Sequence, residues 1–267
     1  MTGSDARPLR GSTVVVTRAS EQAGGLLDRL VASGADVVAA PTIEILDPAD
    51  GGAALIEALA GPVSYDWLVV TSPNGAARVL DAMGHTGGAA RTGSLGDGVR
   101  VAAIGPGTAE VLAGAGRSVD LQPERFVAES LLDAFGDPPP GGGRVLVARA
   151  AVARDVLPDG LRARGWTVDV VDAYRTVGVR YDDDTRARVG AADAITFTSS
   201  STVRNFVDAM GGPGPALAHV PPVVVCIGPV TAATARELGF LVTAVAEEHT
   251  IDGLVNSLVD AVLPPTG

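Results

Sequence analysis

Lysine is missing from the 267 residues: all 20 basic residues are arginine. No Schiff-base chemistry, pyridoxal lysine or P-loop lysine can therefore operate here. A GC-rich genome that exchanges Lys for Arg would leave the same bias, and the exclusion stands under either cause. Cysteine occurs once, at Cys226, which rules out an intramolecular disulfide and argues against a cysteine-rich zinc or iron–sulfur site. It lies in the apolar run Val223–Ile227, where a small buried residue is expected rather than a nucleophile. The three histidines, His85, His219 and His249, are scattered without metal-ligand spacing and make no Ser/His/Asp arrangement, so no metal site is expected. Excess positive charge is absent too: the formal net charge is −11, which argues against binding nucleic acid through a broad basic face. No apolar run reaches the length of a membrane span, and the polar segment Met1 to Gly11 has no signal-peptide core. A soluble, cytoplasmic protein without membrane contact is expected.

Aromatic residues make up only 4% of a chain that is 46% hydrophobic. The apolar mass is Val, Ala, Leu and Ile, as in strands buried on both faces under Ala-rich helices. The length suits two domains with separate cores. Strand-length apolar runs alternate with helical patterns throughout, the signature of βαβ units and a parallel sheet. One such unit is expected from the strand Thr13–Thr17, a helix near Glu21–Ser33 and the strand Asp36–Ala40. A second is expected from Arg144–Ala148, a helix near Arg154–Arg164 and Thr167–Val171. Arg18 aligns with Arg149, Leu30 with Leu161 and Gly34 with Gly165, each pair 131 positions apart. Both glycines fall where a helix C-cap turns into the next strand.

The rest of the chain repeats as well. Trp67–Thr71 followed by Ser72-Pro73-Asn74-Gly75 matches Ala194–Thr198 followed by Ser199-Ser200-Ser201, offset by 127. Ile104-Gly105-Pro106-Gly107-Thr108 matches Ile227-Gly228-Pro229-Val230-Thr231, offset by 123, and Leu131 matches Leu254 at the same spacing. Two small changes of offset along the chain are what a duplication with loop deletions leaves behind. Pro41–Ile45 and Asp172–Val177 occupy equivalent positions and read as paired linker strands. The Gly/Pro-rich stretches Gly84–Gly98 and Gly136–Gly143 read as exposed loops.

Four sets of residues bear on chemistry. Gly105-Pro106-Gly107 is not a dinucleotide fingerprint, because position 110 holds Glu110 rather than a small residue and the second copy has Val230 for the second glycine. What both copies share is a proline at the first helical position with Thr108 or Thr231 in the first turn. Such a helix start either holds an anion or merely satisfies its own backbone. Ser72, Asn74 and Ser199 end strands and open helices, where they cap the helix and can also face a ligand. Arg18 and Arg149 follow the first strand of each copy at the carboxyl edge, where open α/β sheets bind ligands. Arg154 is expected at a helix start, against the dipole, which marks it as a carboxylate ligand or an ordinary surface residue. Tyr174 lies in the second linker, where its counterpart is Ile43. Its phenol is expected to face a cleft between the domains, either sealing a hinge or donating a proton to a leaving group.

Taken in order and spacing, these pieces resemble the uroporphyrinogen-III synthase family from about Gly11 to Val262. The residues that carry the likeness are Val16-Thr17-Arg18, Pro41-Thr42-Ile43, Thr71-Ser72-Pro73, Ile104-Gly105-Pro106-Gly107-Thr108, Tyr174-Arg175-Thr176 and Ile227-Gly228-Pro229-Val230-Thr231-Ala232. The resemblance implies two similar doubly wound, flavodoxin- or Rossmann-like parallel-sheet domains of the α/β class, joined by a two-stranded linker. It implies exchanged halves: residues 1–40 with 180–267 as one domain, 47–171 as the other, and linkers at 41–46 and 172–179. It implies a cofactor-free enzyme that closes the linear tetrapyrrole hydroxymethylbilane into uroporphyrinogen III, inverting ring D through a spiro intermediate. Tyr174 then matches the family's tyrosine, proposed to assist loss of the terminal hydroxyl. Thr108 and Thr231 match its helix-start threonines, and Ser72 and Ser199 match its serines. Some members carry a basic residue where this chain has Asn74. A substrate bearing an acetate and a propionate on each pyrrole suits helix starts, hydroxyls and arginine forks, set in locally positive walls. The implied partners are that tetrapyrrole and hydroxymethylbilane synthase as its upstream donor, with the chain acting as a monomer. The competing expectations are a two-lobed small-ligand binding or regulatory protein without catalysis and, disfavoured by the failed fingerprint, a nucleotide- or flavin-binding protein. A regulator fused to a DNA-binding domain would need an extra helix-turn-helix segment, for which no room is expected before Gly267.

Overall fold

The computed structural model describes residues 7–61, 63–85 and 98–263. Parts of two sequence readings, the segment Met1 to Gly11 and the loop Gly84–Gly98, lie outside those residues. The chain begins β1 (Thr13–Val16), α1 (Ser20–Ala32), β2 (Asp36–Ala39), β3 (Ile43–Leu46), α2 (Ala53–Ala60), β4 (Trp67–Val70) and α3 (Pro73–His85). It continues β5 (Arg100–Ala103), α4 (Pro106–Gly114), α5 (Ala128–Ala134), β6 (Arg144–Ala150), α6 (Val156–Ala163) and β7 (Thr167–Gly178). It ends α7 (Asp183–Gly190), β8 (Ala194–Phe197), α8 (Ser200–Met210), α9 (Pro213–His219), β9 (Val223–Cys226), α10 (Pro229–Glu237), β10 (Ala244–Val245) and α11 (Ile251–Val262).

The chain divides into two compact units, one of residues 1–44 with 177–267 and one of residues 45–176. The sheet of the first has the order β10-β9-β8-β1-β2, all parallel. The sheet of the second has the order β3-β7-β6-β4-β5, parallel from β7 to β5. Read from its first βαβ unit, the first sheet is 2-1-3-4-5, the flavodoxin-like order. The second follows the same path, with a parallel bridge between Ala102 and Leu121 in place of a fifth strand. β1, β2, β8 and β9 thus match β6, β7, β4 and β5 of the other copy.

The apolar runs follow from burial on both faces. In β1, Val15 faces a cluster with Val203, Phe206 and Ala232, while Val14 and Val16 face one with Leu26, Leu30 and Leu258. In β4, Leu68 and Val70 face Ala76, Val79 and Leu112, while Trp67 and Val69 face Leu131, Leu157 and Leu161. A residue on either side is packed, so no polar alternation survives in the sequence. The helix ends obey the same duplication. Gly34 and Gly165 adopt φ of +90° and +92°. At both ends the glycine amide and the next one reach back to close the helix: Gly34 to Val31 and Ala35 to Leu30, Gly165 to Arg162 and Trp166 to Leu161. Only glycine meets that left-handed turn without a Cβ penalty.

The paired linkers differ from each other. In the first copy the chain breaks at Pro41, which has no N–H for a ladder, and β3 starts afresh at Ile43. In the second copy the aligned residue is Asp172, nothing interrupts the ladder, and β7 runs unbroken for 12 residues. The short separate strand expected at Asp172–Val177 is therefore the end of one long strand.

Candidate functional site

In the first unit, the carboxyl ends of β1 and β8 flank the switch point of the strand order, where such sheets bind ligands. A pocket of about 330 Å³ opens there, lined by Thr17, Arg18, Thr42, Ser199, Thr202 and Asn205 among others. Thr17 Oγ1 donates to the carbonyl of Thr196 at 3.0 Å, and Thr42 Oγ1 donates to that of Thr17 at 3.2 Å, which ties the strand end down. Ser199 caps α8, its Oγ accepting from the amide of Thr202 at 3.2 Å and lying 2.7 Å from Thr202 Oγ1 and 2.9 Å from Ser201 Oγ. Arg18 is half-buried on the pocket wall.

The second unit carries the equivalent pocket, about 280 Å³, at the ends of β4, β5 and β6. Thr71, Ile104 and Arg149 line it where Thr198, Ile227 and Arg18 line the first, at the offsets of the duplication. The remaining walls diverge: hydroxyls dominate the first pocket, whereas Phe126, Val127, Leu157 and Pro158 line the second. Arg149 is the fixed cation. Its side chain is only 13% exposed, Nη2 meets Asp155 Oδ1 at 2.6 Å, and Nη1 donates to the carbonyl of Arg154 at 2.9 Å. Its Nε is buried with no partner in the protein. A buried guanidinium with an unspent donor is poised for a carboxylate.

Arg154 also lines this pocket, but not as expected. α6 begins at Val156 with Asp155 at its N-cap, so Arg154 precedes the helix and opposes no dipole. The exposed side chain pairs with Glu129 in the first turn of α5 at 2.7 Å. That pair, after the bond from its own backbone, holds the Glu129 carboxyl below its ordinary value.

Thr108 and Thr231 are buried in the first turns of α4 and α10. Each helix has proline at its first position and an extended glycine cap, and neither start receives a side-chain cap. The amide of Thr108 bonds back to the carbonyl of Gly105 at 3.1 Å. Asn74 is buried in the first turn of α3.

Tyr174 owes its position to a β-bulge. Along β6 and β7, Arg149 pairs with Asp172 but Ala150 pairs with Tyr174, leaving Ala173 as the extra residue. Strict alternation would put Tyr174 on the face of Val168 and Val170. The bulge moves it to the face of Ala173, where both are buried against Val70, Ala76 and Val79. There the phenol meets the start of α3: Ser72 Oγ donates to Tyr174 Oη at 3.0 Å and accepts from the amide of Gly75 at 3.1 Å.

The structure therefore brings Arg18 and Ser199 to one pocket, Arg149 and Arg154 to its counterpart, and Ser72 to Tyr174. Sequence reasoning passed over Thr17, Thr42, Thr202 and Asn205, although two of these threonines directly follow or approach strand ends. It also passed over Asp155, whose place six residues after Arg149, at a helix start, was a usable signal. Among the described residues, no group of three or more His, Cys, Asp or Glu side chains could hold a metal ion, and no helix is long and apolar enough to cross a membrane.

The fold and its strand-end pockets define a duplicated, doubly wound α/β protein. A family described as uroporphyrinogen-III synthase HemD matches residues 25–256. A uroporphyrinogen-III synthase of Synechococcus elongatus is 35% identical over 93% of this chain and 95% of its own length. A protein named as a putative uroporphyrinogen-III synthase in Methanothermobacter thermautotrophicus is 32% identical over 92% of this chain and 96% of its own. The chain belongs to the uroporphyrinogen-III synthase family. Solved structures share the fold: a mutant uroporphyrinogen III synthase of Thermus thermophilus, at 20% identity, covers 94% of this chain and 99% of its own with a TM-score of 0.58. The synthetase of Helicobacter pylori, at 14% identity, gives 0.59 over 93% and 99%.

Proposed function

We propose that this chain closes hydroxymethylbilane to uroporphyrinogen III with inversion of ring D through a spiro intermediate, as a cyclising lyase of tetrapyrrole biosynthesis. The observation that carries the reading is the 35% identity to the Synechococcus synthase along nearly the full length of both chains. The substrate closes without an enzyme to the symmetric isomer, so catalysis here is chiefly positioning. Arg149, with its free Nε, and Arg18 at the equivalent strand end bind acetate and propionate groups, with Arg154 exchanging Glu129 for a substrate carboxylate. Asn74 and the uncapped helix start at Thr108 in one unit, and Ser199 and the uncapped start at Thr231 in the other, supply amide, hydroxyl and backbone donors to further carboxylates. Tyr174 donates its phenolic proton to the terminal hydroxyl as it leaves. On this reading the chain works as a cytoplasmic monomer. It takes its unstable substrate from hydroxymethylbilane synthase. Incubation with hydroxymethylbilane, oxidation of the products and separation of isomers tests the assignment: type III is expected, and type I alone refutes it.

A further inference from the structure

We infer that Ser72 is a positioning residue that aims and activates the proton of Tyr174. This rests on the reading of Tyr174 as the proton donor. Ser72 sits at the start of α3, where its Oγ accepts the amide proton of Gly75 at 3.1 Å. With that lone pair engaged, the hydroxyl proton of Ser72 is directed onto Tyr174 Oη, 3.0 Å away. A phenol oxygen that already accepts a hydrogen bond keeps its own proton for another acceptor, here the leaving hydroxyl of the substrate. The same bond strengthens as negative charge grows on the phenol oxygen, so it favours proton release in the transition state. The partially positive start of the helix lies behind Ser72 and acts in the same direction.

The duplication supplies an internal contrast. Ser199, the counterpart of Ser72, accepts the corresponding amide of Thr202 at 3.2 Å. Its oxygen then meets the hydroxyls of Ser201 and Thr202, because the counterpart of Tyr174 is Ile43 and no phenol is present. Capping is common to both serines, and donation to a phenol belongs to Ser72 alone. The step balances as follows. The C–O bond of the terminal hydroxymethyl group breaks, its electron pair stays on oxygen, and that oxygen takes the Tyr174 proton and departs as water. The pyrrole nitrogen lone pair makes a ring C=N bond and pushes a ring pair out into the exocyclic double bond. A carbon of ring D then adds to that exocyclic carbon, and the phenolate held by Ser72 is reprotonated when the cyclised intermediate loses its ring proton.

A double-mutant cycle on the full chain with hydroxymethylbilane tests this. Ser72→Ala is expected to lower kcat by about tenfold to a hundredfold, the range of a hydrogen bond to a charged group, with KM within about threefold. In the Tyr174→Phe background the same change is expected to alter kcat by less than about twofold, since the residue it acts through is gone. Ser72→Thr, which keeps the hydroxyl, is expected to restore most of the loss. Equal losses in both backgrounds would overturn the inference, leaving Ser72 as a helix cap or a substrate contact. Full activity of Tyr174→Phe itself would instead overturn the reading of Tyr174. Circular dichroism of each variant separates these outcomes from misfolding, and Ser72→Cys, a near-isosteric weak donor, replaces Ser72→Ala if the latter does not fold.

Discussion

Arg149→Met removes the fixed cation of the second pocket while keeping the bulk of its stem. Two structural quantities set the expected cost. The ion pair with Asp155 has one partner 62% exposed, so the released carboxylate returns to water and the loss is small, about 0–1 kcal/mol. The bond to the Arg154 carbonyl adds about 1 kcal/mol, since that segment is exposed as well. Stability should therefore fall by only about 1–2 kcal/mol. Substrate binding should suffer more. A guanidinium that is 13% exposed and holds an unpaired Nε has already given up its water, and a carboxylate placed on it gains a charge-assisted bond of about 1.5–3 kcal/mol. The expected result is a fall of roughly ten- to 150-fold in kcat/KM, read by steady-state formation of type III product beside a urea melt. Arg149→Lys should land between the two, because an ammonium keeps the charge but not the fork. If Arg149→Met keeps kcat/KM within about threefold of the parent while folding normally, the pocket does not hold a substrate carboxylate.

Tyr174→Phe should lower kcat by about two to four powers of ten without abolishing turnover, because positioning survives the loss of the acid; an unchanged rate of type III formation removes Tyr174 from the reaction. Tyr181→Phe should destabilise the chain by about 1–3 kcal/mol in urea unfolding, since the buried phenol donates to the carbonyl of Ala40 and the variant leaves that buried acceptor unpaired. A change under about 0.5 kcal/mol would contradict this. Burial, and then the bond to Asp169, push the Tyr65 phenol from 10.0 up to about 12. The raised value means that the folded state keeps the proton longer than the unfolded one. Its contribution is present below pH 10 and is lost as pH rises toward 12. Tyr65→Phe should flatten the loss of stability over that interval, and an identical slope in variant and parent would refute it.

The fold class was legible because three local signals agreed. Apolar runs bounded by turns marked strands packed on both faces, glycines such as Gly34 and Gly165 marked left-handed helix ends, and the spacing between matching residues revealed the duplication. The carboxyl-edge position of Arg18 followed from its place just beyond β1, whereas Arg149, expected to follow its strand, is the last residue but one within β6. What was not legible depends on long-range geometry. The bulge at Ala173 that turns Tyr174 toward Ser72 leaves no trace in the residue pattern, because Ala and Tyr are equally at home on either face of a buried strand. α6 starts two residues later than the pattern at Arg154 suggests. Asp155, not Arg154, takes the N-cap, and the helical period cannot separate a cap from a first turn. Nor does the sequence state that Arg154 and Glu129, 25 positions apart, would neutralise each other.

Competition with spontaneous ring closure separates catalysis from its absence. Hydroxymethylbilane is supplied at fixed concentration, the amount of purified protein is raised stepwise, and the oxidised products are resolved into isomers I and III. Type III is expected to rise from nothing to nearly all of the product as enzyme outpaces the uncatalysed reaction. Type I at every protein concentration would contradict catalysis.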